Sequence, residues 1–473
     1  MLRQSDHEPG AGEPPAGEEG LARKLSTGQQ AMMAVGGAIG TGLFLGSGLT
    51  VSAAGPAVIV SYLIAAAISL LLCAALTEMA VAHPAAGAFG LYADRYVSPF
   101  AGYSVRVSYW LMQVIATGGH LIAIATYLRF WFPAVPAVVW IVMFGVALAW
   151  LNTRDVGAFG TFEYWFSMIK VVAIGLFVVL GVGLLVGVVG DAAPGLSHYT
   201  EHGGFAPNGW SGIWIGAVFA IYSFIGVEIV AVTSGEARDP ARTTPIAMRR
   251  MILGLTALYV ATIALVVGVA PWSELGVRES PFVTVLGASG IPLAASVMNF
   301  VVLTAAVSSA NANLYLCSRM LFSLAKGGYV PDAVGRVGRQ GVPVRAVLLS
   351  SLGLGLAVVL QVLWGNTAAY TWFFGVALFG AMFVWVMIFV THLRFRSTRH
   401  ASGEGIPHEV PWSRPMSWLG LGLVVAVVAS TAWIPALRVT VLVAVPWLAL
   451  LALGYRWRRP ASPPHTPRRK TST

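Results

Sequence analysis

From about Gln30 to about Tyr455 the sequence repeats apolar stretches of roughly 20 residues, separated by short polar segments. An α-helix rises about 1.5 Å per residue, so each stretch matches the hydrocarbon thickness of a bilayer. This recurrence leaves few choices of fold. Backbone polar groups in lipid must be satisfied within the chain, which admits only helices and closed barrels. A barrel would show short alternating segments rather than continuous runs. Composition agrees, with 57% hydrophobic and only 10% charged residues, against about 25% charged in an ordinary globular chain. The expected class is an all-α polytopic membrane protein.

Twelve transmembrane helices are expected, at about 28–50, 57–82, 100–128, 134–151, 162–189, 211–234, 248–271, 292–325, 344–364, 369–392, 416–434 and 438–456. The net charge of +10 lies mostly in short segments flanking the apolar runs, which argues against nucleic acid and for membrane orientation. With a cytoplasmic N-terminus, 23 Lys and Arg fall in inside segments and only Arg129, Arg278 and Arg438 in outside ones. Both termini are therefore expected in the cytoplasm of a multi-pass plasma-membrane protein. Residues 1–25, rich in Pro, Gly and Glu, read as a disordered tail without a signal peptide. A ten-helix core at 26–395, two further helices within 415–457 and a basic tail at 458–473 complete the expected organisation.

The first span reads Ala34-Val-Gly-Gly-Ala-Ile-Gly-Thr-Gly-Leu-Phe-Leu-Gly-Ser-Gly48. Each interior Gly costs a helix up to about 1 kcal/mol relative to Ala. Gly40-Thr41-Gly42 is thus a candidate point of unwinding, leaving N–H groups at Thr41 and Gly42 that favour an anion. Close helix packing is the competing reading, because Gly36/Gly40 and Gly42/Gly46 also fit Gly-x-x-x-Gly. The sixth span supplies a second interruption, Ala220-Ile-Tyr-Ser-Phe-Ile-Gly-Val-Glu228, with Gly226, Glu228 and the hydroxyl of Ser223 together. Paired interruptions in corresponding positions of two halves point to a midplane transport site.

Ionisable residues inside spans default to function. Glu228 reads as the only acid well inside one. Lys170 lies about eight residues into the fifth span, roughly 12 Å along the helix, where it either serves the site or snorkels to the interface. Arg106 and Arg319 sit nearer span ends. His120, midway along the third span, reads equally as a packing histidine, a ligand or a proton carrier. Cys73 and Cys317 lie in apolar runs and offer neither a disulfide framework nor metal ligands. No nucleotide-binding, zinc-hydrolase, nucleophile-elbow or Cys-x-x-Cys motif occurs. No enzyme activity, cofactor or metal is expected, and transport without a nucleotide site requires an ion gradient or exchange.

Gly36-Gly-Ala-Ile-Gly-Thr-Gly-Leu-Phe-Leu-Gly-Ser-Gly48 resembles the first-helix motif of the amino acid transporter family of permeases, within the amino acid–polyamine–organocation superfamily. Similar matches are Ser223-Phe-Ile-Gly-Val-Glu-Ile, Gly235-Glu-Ala-Arg-Asp-Pro-Ala-Arg-Thr-Thr-Pro245, and Glu78-Met-Ala with Pro84-x-x-Gly87-x-Phe89. Glu163-Tyr-Trp-Phe-Ser-Met-Ile-Lys-Val-Val-Ala and Ser308-Ser-Ala-Asn-x-x-Leu-Tyr-x-x-Ser-Arg-Met complete the set. The resemblance implies a LeuT-type five-plus-five inverted repeat, with helices 1 and 6 broken, and proton-coupled uptake of a zwitterionic amino acid by alternating access. It implies that the substrate carboxylate meets amides around Gly40, Thr41 and Gly42. The α-ammonium would meet carbonyls near Ile39, Tyr222, Ser223 and Ile225, beside Gly226, with the Tyr222 ring as a lid. Lys170 falls where proton-coupled relatives put a lysine in place of sodium, near the first helix and near Ser308 and Ser309 of the eighth. Glu228 is a second proton-coupling candidate, and Glu236 would belong to the cytoplasmic gate. Many relatives carry Glu where His120 stands, which leaves selectivity open. Two alternatives remain, an exchanger on the same fold and a transporter-like amino acid receptor. The expected partners are an amino acid, protons and the lipid bilayer.

Overall fold

The structure, a computed structural model, describes residues 36, 39–85, 87–154, 156–189, 195–236, 239–338 and 341–457. The expected tails at 1–25 and 458–473 and residues 28–35 of the first span lie outside the described residues, as does the side chain of Glu236.

Every regular element among the described residues is helical. After Gly36 the chain bends at Ile39 and Gly40, and α1 (Thr41–Phe44) resumes the helix. A turn leads to α2 (Ser47–Ala54), and Gly55 swings the chain into α3 (Val58–Ala82). A short amphipathic helix, α4 (Ala88–Tyr96), precedes α5 (Pro99–Leu128). Ser98 caps α5, its Oγ accepting the Ala101 N–H at 3.1 Å, while Pro99 occupies a first-turn position that needs no donor. α6 (Ala137–Asn152) and α7 (Val156–Leu185) follow. α8 (Gly209–Ala220) runs into a 3₁₀ turn at Ile221–Phe224, and the helix restarts as α9 (Ile229–Thr233).

α10 (Pro240–Val269) begins eight residues before its expected apolar start. Asp239 and Pro240 fix that start, the Asp239 carboxylate accepting the Arg242 N–H at 3.3 Å. α11 (Pro281–Gly287) lies between the expected seventh and eighth spans, ahead of α12 (Ala294–Lys326) and α13 (Val344–Ser350). α14 (Leu352–Ser402) is interrupted at Gly365, whose φ of 75° no helix contains. α15 (Ser413–Ser430) and α16 (Arg438–Trp457) end the described chain.

Nine runs among the described residues are long and apolar enough to cross a membrane, fewer than the twelve expected. The difference has a local cause in each case. Ser47–Ala82 joins the end of the first expected span to the second, Val344–Ser402 joins the ninth to the tenth, and Ala137–Asn152 is only 16 residues long. The protein is an all-helical polytopic membrane protein.

Burial sorts the helices into a centre and a rim. The apolar windows of α5 and of Gly209–Val232 are 89% buried, whereas that of Pro435–Trp457 is 22% buried. Polar side chains follow the same sorting. Glu78, fully buried near the end of α3, accepts from His392 Nε2 at 2.8 Å and from the Val410 N–H at 2.8 Å, with Arg396 beside it. His392 also pairs with Ser417 at 2.8 Å, so this network fastens α3, α14 and α15 together. Glu228, the acid expected well inside a span, is not the only buried one. Glu78 and Glu163 are buried acids as well.

Candidate functional site

Two interruptions face one another at the centre of the bundle. In the first, Gly40 is extended (φ −131°, ψ −160°) and no side chain caps α1, so Thr41 and Gly42 are the first residues of the resumed helix. Glycine here is required by close approach. A Cβ on Gly36 would lie 1.7 Å from Ser167 Oγ of α7, and one on Gly40 would lie 2.8 Å from Ser309 Oγ of α12. A Cβ on Gly42 would lie 2.9 Å from the backbone of Ser223. The packing and unwinding readings of this segment are therefore both right. Its glycines admit neighbours, and its helix is broken.

In the second interruption Ile225 is extended and Gly226 takes a φ of 110°, which favours glycine. The Glu228 carboxylate closes the bend by accepting the Gly226 N–H at 3.0 Å, and Tyr109 and Trp385 approach its other side. Glu228 thus holds the break from within its own segment.

A small cavity of about 30 Å³ lies where the two meet. This is room for about two water molecules, at some 10–15 Å³ each. Gly40, Thr41 and Gly42 line one side, and Tyr222, Ile225, Gly226 and Ile229 another. Met112, Gln113, Ala116 and His120 come from α5, Ser309 and Asn313 from α12, and Ala377 from α14. His120 Nδ1 lies 2.8 Å from Thr41 Oγ1, so this histidine touches the broken segment directly. Tyr370 donates to the Thr41 carbonyl at 3.2 Å, and Tyr222 stacks on Phe374 with ring centroids 4.0 Å apart.

Other expected site residues stand behind this wall. Lys170, fully buried, donates to the carbonyls of Gly36 at 2.6 Å and Ile39 at 3.1 Å. The Ile39 carbonyl, expected to receive the substrate ammonium, is therefore already engaged by Lys170. Ser308 was expected beside Lys170, but its hydroxyl donates to Glu163 at 2.5 Å instead. Ser309 Oγ has no hydrogen-bond partner. The Ser223 side chain meets Tyr62 Oη at 3.2 Å and does not line the cavity.

The comparisons with known proteins agree on one family. The model describing amino acid permeases matches residues 29–467. An uncharacterized amino acid permease of Bacillus subtilis is 34% identical over 92% of this chain and 95% of its own length. The aromatic amino acid transport protein of Escherichia coli K12 is 33% identical over 93% and 96%. The γ-aminobutyric acid permease of B. subtilis is 35% identical over 89% and 90%.

The chain belongs to the amino acid permease family. It is a transporter of amino acids, not an enzyme.

Three polar residues of the permease escaped the reading of its sequence. Glu163 is 1% exposed and starts a buried stripe on α7 that continues through Ser167, Lys170, Ile174 and Phe177. Gln113, buried on α5, belongs to a similar stripe with Thr117 and His120. Asn313 reaches the cavity from α12. The first two stripes carried a usable signal, the i, i+4, i+7 spacing that puts side chains on one helix face. Asn313 carried part of it, four residues after Ser309 on the same face of α12.

Proposed function

We propose that this permease takes up a zwitterionic amino acid by alternating access, driven by an inward proton gradient. The observation that carries the reading is the cavity between the two interrupted segments, whose lining among the described residues includes no Asp, Glu, Lys or Arg. A substrate carrying a net charge would leave that charge unpaired there, which is costly, whereas a zwitterion brings its own balance. The carboxylate faces the amides at Thr41 and Gly42, where a helix start favours negative charge. The ammonium faces carbonyls of the Tyr222–Ile225 segment, and Tyr222 closes over the pair. The substrates named for relatives, including a B. subtilis protein described as a probable threonine/serine transporter, are aromatic amino acids, γ-aminobutyrate, threonine and serine. All carry a carboxylate and an ammonium group, the parts that backbone can read. At about 30 Å³ the cavity is too small for any of them, so the helices around it part to admit substrate.

Lys170 carries the coupling proton in this reading. Its ammonium ties α7 to the carbonyls at Gly36 and Ile39, and loss of the proton removes the charge from that tie. Glu228 and His120 tune coupling and selectivity, and Glu236 belongs to the cytoplasmic gate. Twelve spans, the first ten as a LeuT-type repeat at 26–395 and two more within 415–457, form the transporter, with both termini in the cytoplasm. The test is uptake of labelled phenylalanine, tyrosine, threonine, serine and γ-aminobutyrate into proteoliposomes, with and without an imposed inward pH gradient. At least one of these accumulates, and only with the gradient. Gradient-independent uptake that requires preloaded substrate would identify an exchanger instead.

A further inference from the structure

The α7 stripe holds a buried acid that the reading above leaves unused. Glu163 lies seven residues before Lys170, two turns or about 10 Å along the helix toward its N-terminal end. Its Oε1 accepts from Ser308, while Oε2 has no hydrogen-bond partner. The side chains of Ser167 and Asn311 lie close to the carboxylate without closing hydrogen bonds, and Ser167 Oγ and Asn311 Nδ2 are themselves unpartnered. Ser167 Oγ and Glu163 Oε1 both fall within 3.2 Å of the point a Gly36 Cβ would occupy, and Lys170 Nζ holds the carbonyl of that same glycine. Buried polar atoms left unpaired in one cluster call for an explanation.

We propose that Glu163 is the group through which Lys170 exchanges its proton with the aqueous face at the N-terminal end of α7. The inference rests on Lys170 as the proton carrier. In the transfer an Nζ–H bond of Lys170 breaks and an O–H bond forms on Glu163 Oε2. The Ser167 hydroxyl relays it by accepting one proton and passing on its own. Ammonium becomes amine and carboxylate becomes carboxylic acid, so the site's net charge does not change during the step. Without such an acceptor, the ammonium would have to give its proton directly to water across a buried, low-dielectric path. Glu163 then releases the proton to water, restoring the carboxylate. The amine is recharged from the cavity side.

Few other groups compete for this role. Among the described residues, α12 faces the pair with Ser308, Ser309 and Asn311, and α5 brings His120, which feels the Lys170 charge. α6 carries no charged residue, and α10 carries no acid while its Arg249 and Arg250 are exposed. The N-terminal helix segment offers carbonyls.

Glu163→Gln keeps the shape and can still accept from Ser308, but it cannot take up a proton. Two assays on the same proteoliposomes separate the outcomes, using whichever amino acid of the panel above the wild type accumulates best. Gradient-driven accumulation falls at least ten-fold in Glu163→Gln, while gradient-free exchange against preloaded substrate stays within two-fold of wild type. Glu163→Asp, which retains a carboxyl group, restores accumulation with its pH profile displaced by half a unit or more. Wild-type accumulation in Glu163→Gln overturns the proposal, and so does loss of exchange together with accumulation. Should Glu163→Gln not fold, an unmoved pH profile in Glu163→Asp overturns it equally. Lys170→Ala, run alongside, tells this failure from that of the underlying reading. If Lys170→Ala still accumulates substrate, the carrier assignment itself falls.

Discussion

At Gly36–Gly42 the chain is kept thin because α7, α12 and the second interruption press against it, whereas at Ile225–Glu228 it is turned by its own backbone and held by its own carboxylate. In sequence both are lapses in an apolar helix, the first rich in glycine and the second marked by Gly226 alone. Their causes differ, and so do the substitutions that should damage them. The first depends on what its neighbours can tolerate. The second depends on one dihedral angle and one acceptor.

The largest effect is expected from Gly42→Val. A side chain there would strike the backbone of Ser223, which cannot swing aside as a side chain would. Overpacking of this kind costs about 1–3 kcal/mol, and because it wedges the two interruptions apart, uptake should be abolished. A detergent melting curve beside an uptake assay checks both, and full uptake would mean that the segments part freely. Gly226→Ala comes next. It places a side chain at a φ of 110°, at a cost of about 1–3 kcal/mol, and should lower the melting temperature. An unchanged melting temperature would show that the bend can relax.

Glu228→Gln and Glu228→Ala separate cap from charge. A neutral acceptor retains most of the bond to the Gly226 N–H, losing on the order of 1 kcal/mol, and alanine loses the acceptor entirely. Uptake should therefore fall more in Glu228→Ala than in Glu228→Gln, and equal losses would assign the role to the charge. A smaller change is expected from His120→Glu. It replaces the imidazole beside Thr41 by a carboxylate and should alter the substrate ranking or the pH profile of uptake. If neither moves, His120 only packs.

The smallest effect lies away from both interruptions. His83, just past α3, has its imidazole held down to about 4 by burial and by Arg95 and Arg399. Between that value and its ordinary 6.5 the unfolded chain binds a proton that the folded chain does not. Stability from this group is thus present above about pH 6.5 and lost as the pH falls toward 4. His83→Gln should flatten that part of the melting temperature against pH, leaving uptake at neutral pH unchanged.

The membrane class and both interruptions were legible, because each rests on apolar length or on glycine within it. Glu163 was not, since charged residues were weighed singly and an acid near a span's start resembles an interfacial one. Its spacing from Ser167 and Lys170 marks it as inward-facing. The start of α10 at Pro240 was misjudged by eight residues for a related reason, whereas that of α5 at Pro99 lies one residue from the expected 100. Apolar runs locate lipid, while Ser98 and Asp239 locate the first turn. α4 and α11 escaped because short helices give no long period to read.

α11 has a use that its length conceals. Ser280, at its start, donates to the Phe44 carbonyl at 2.6 Å, and the Phe282 ring lies against both Phe44 and Phe177. The loop is thereby a handle bolted to the end of α1 and to the flank of α7. Parting α1 from α7 would therefore have to break the Ser280 hydrogen bond or draw the buried Phe282 ring from between Phe44 and Phe177, so this short helix sets a cost on that movement.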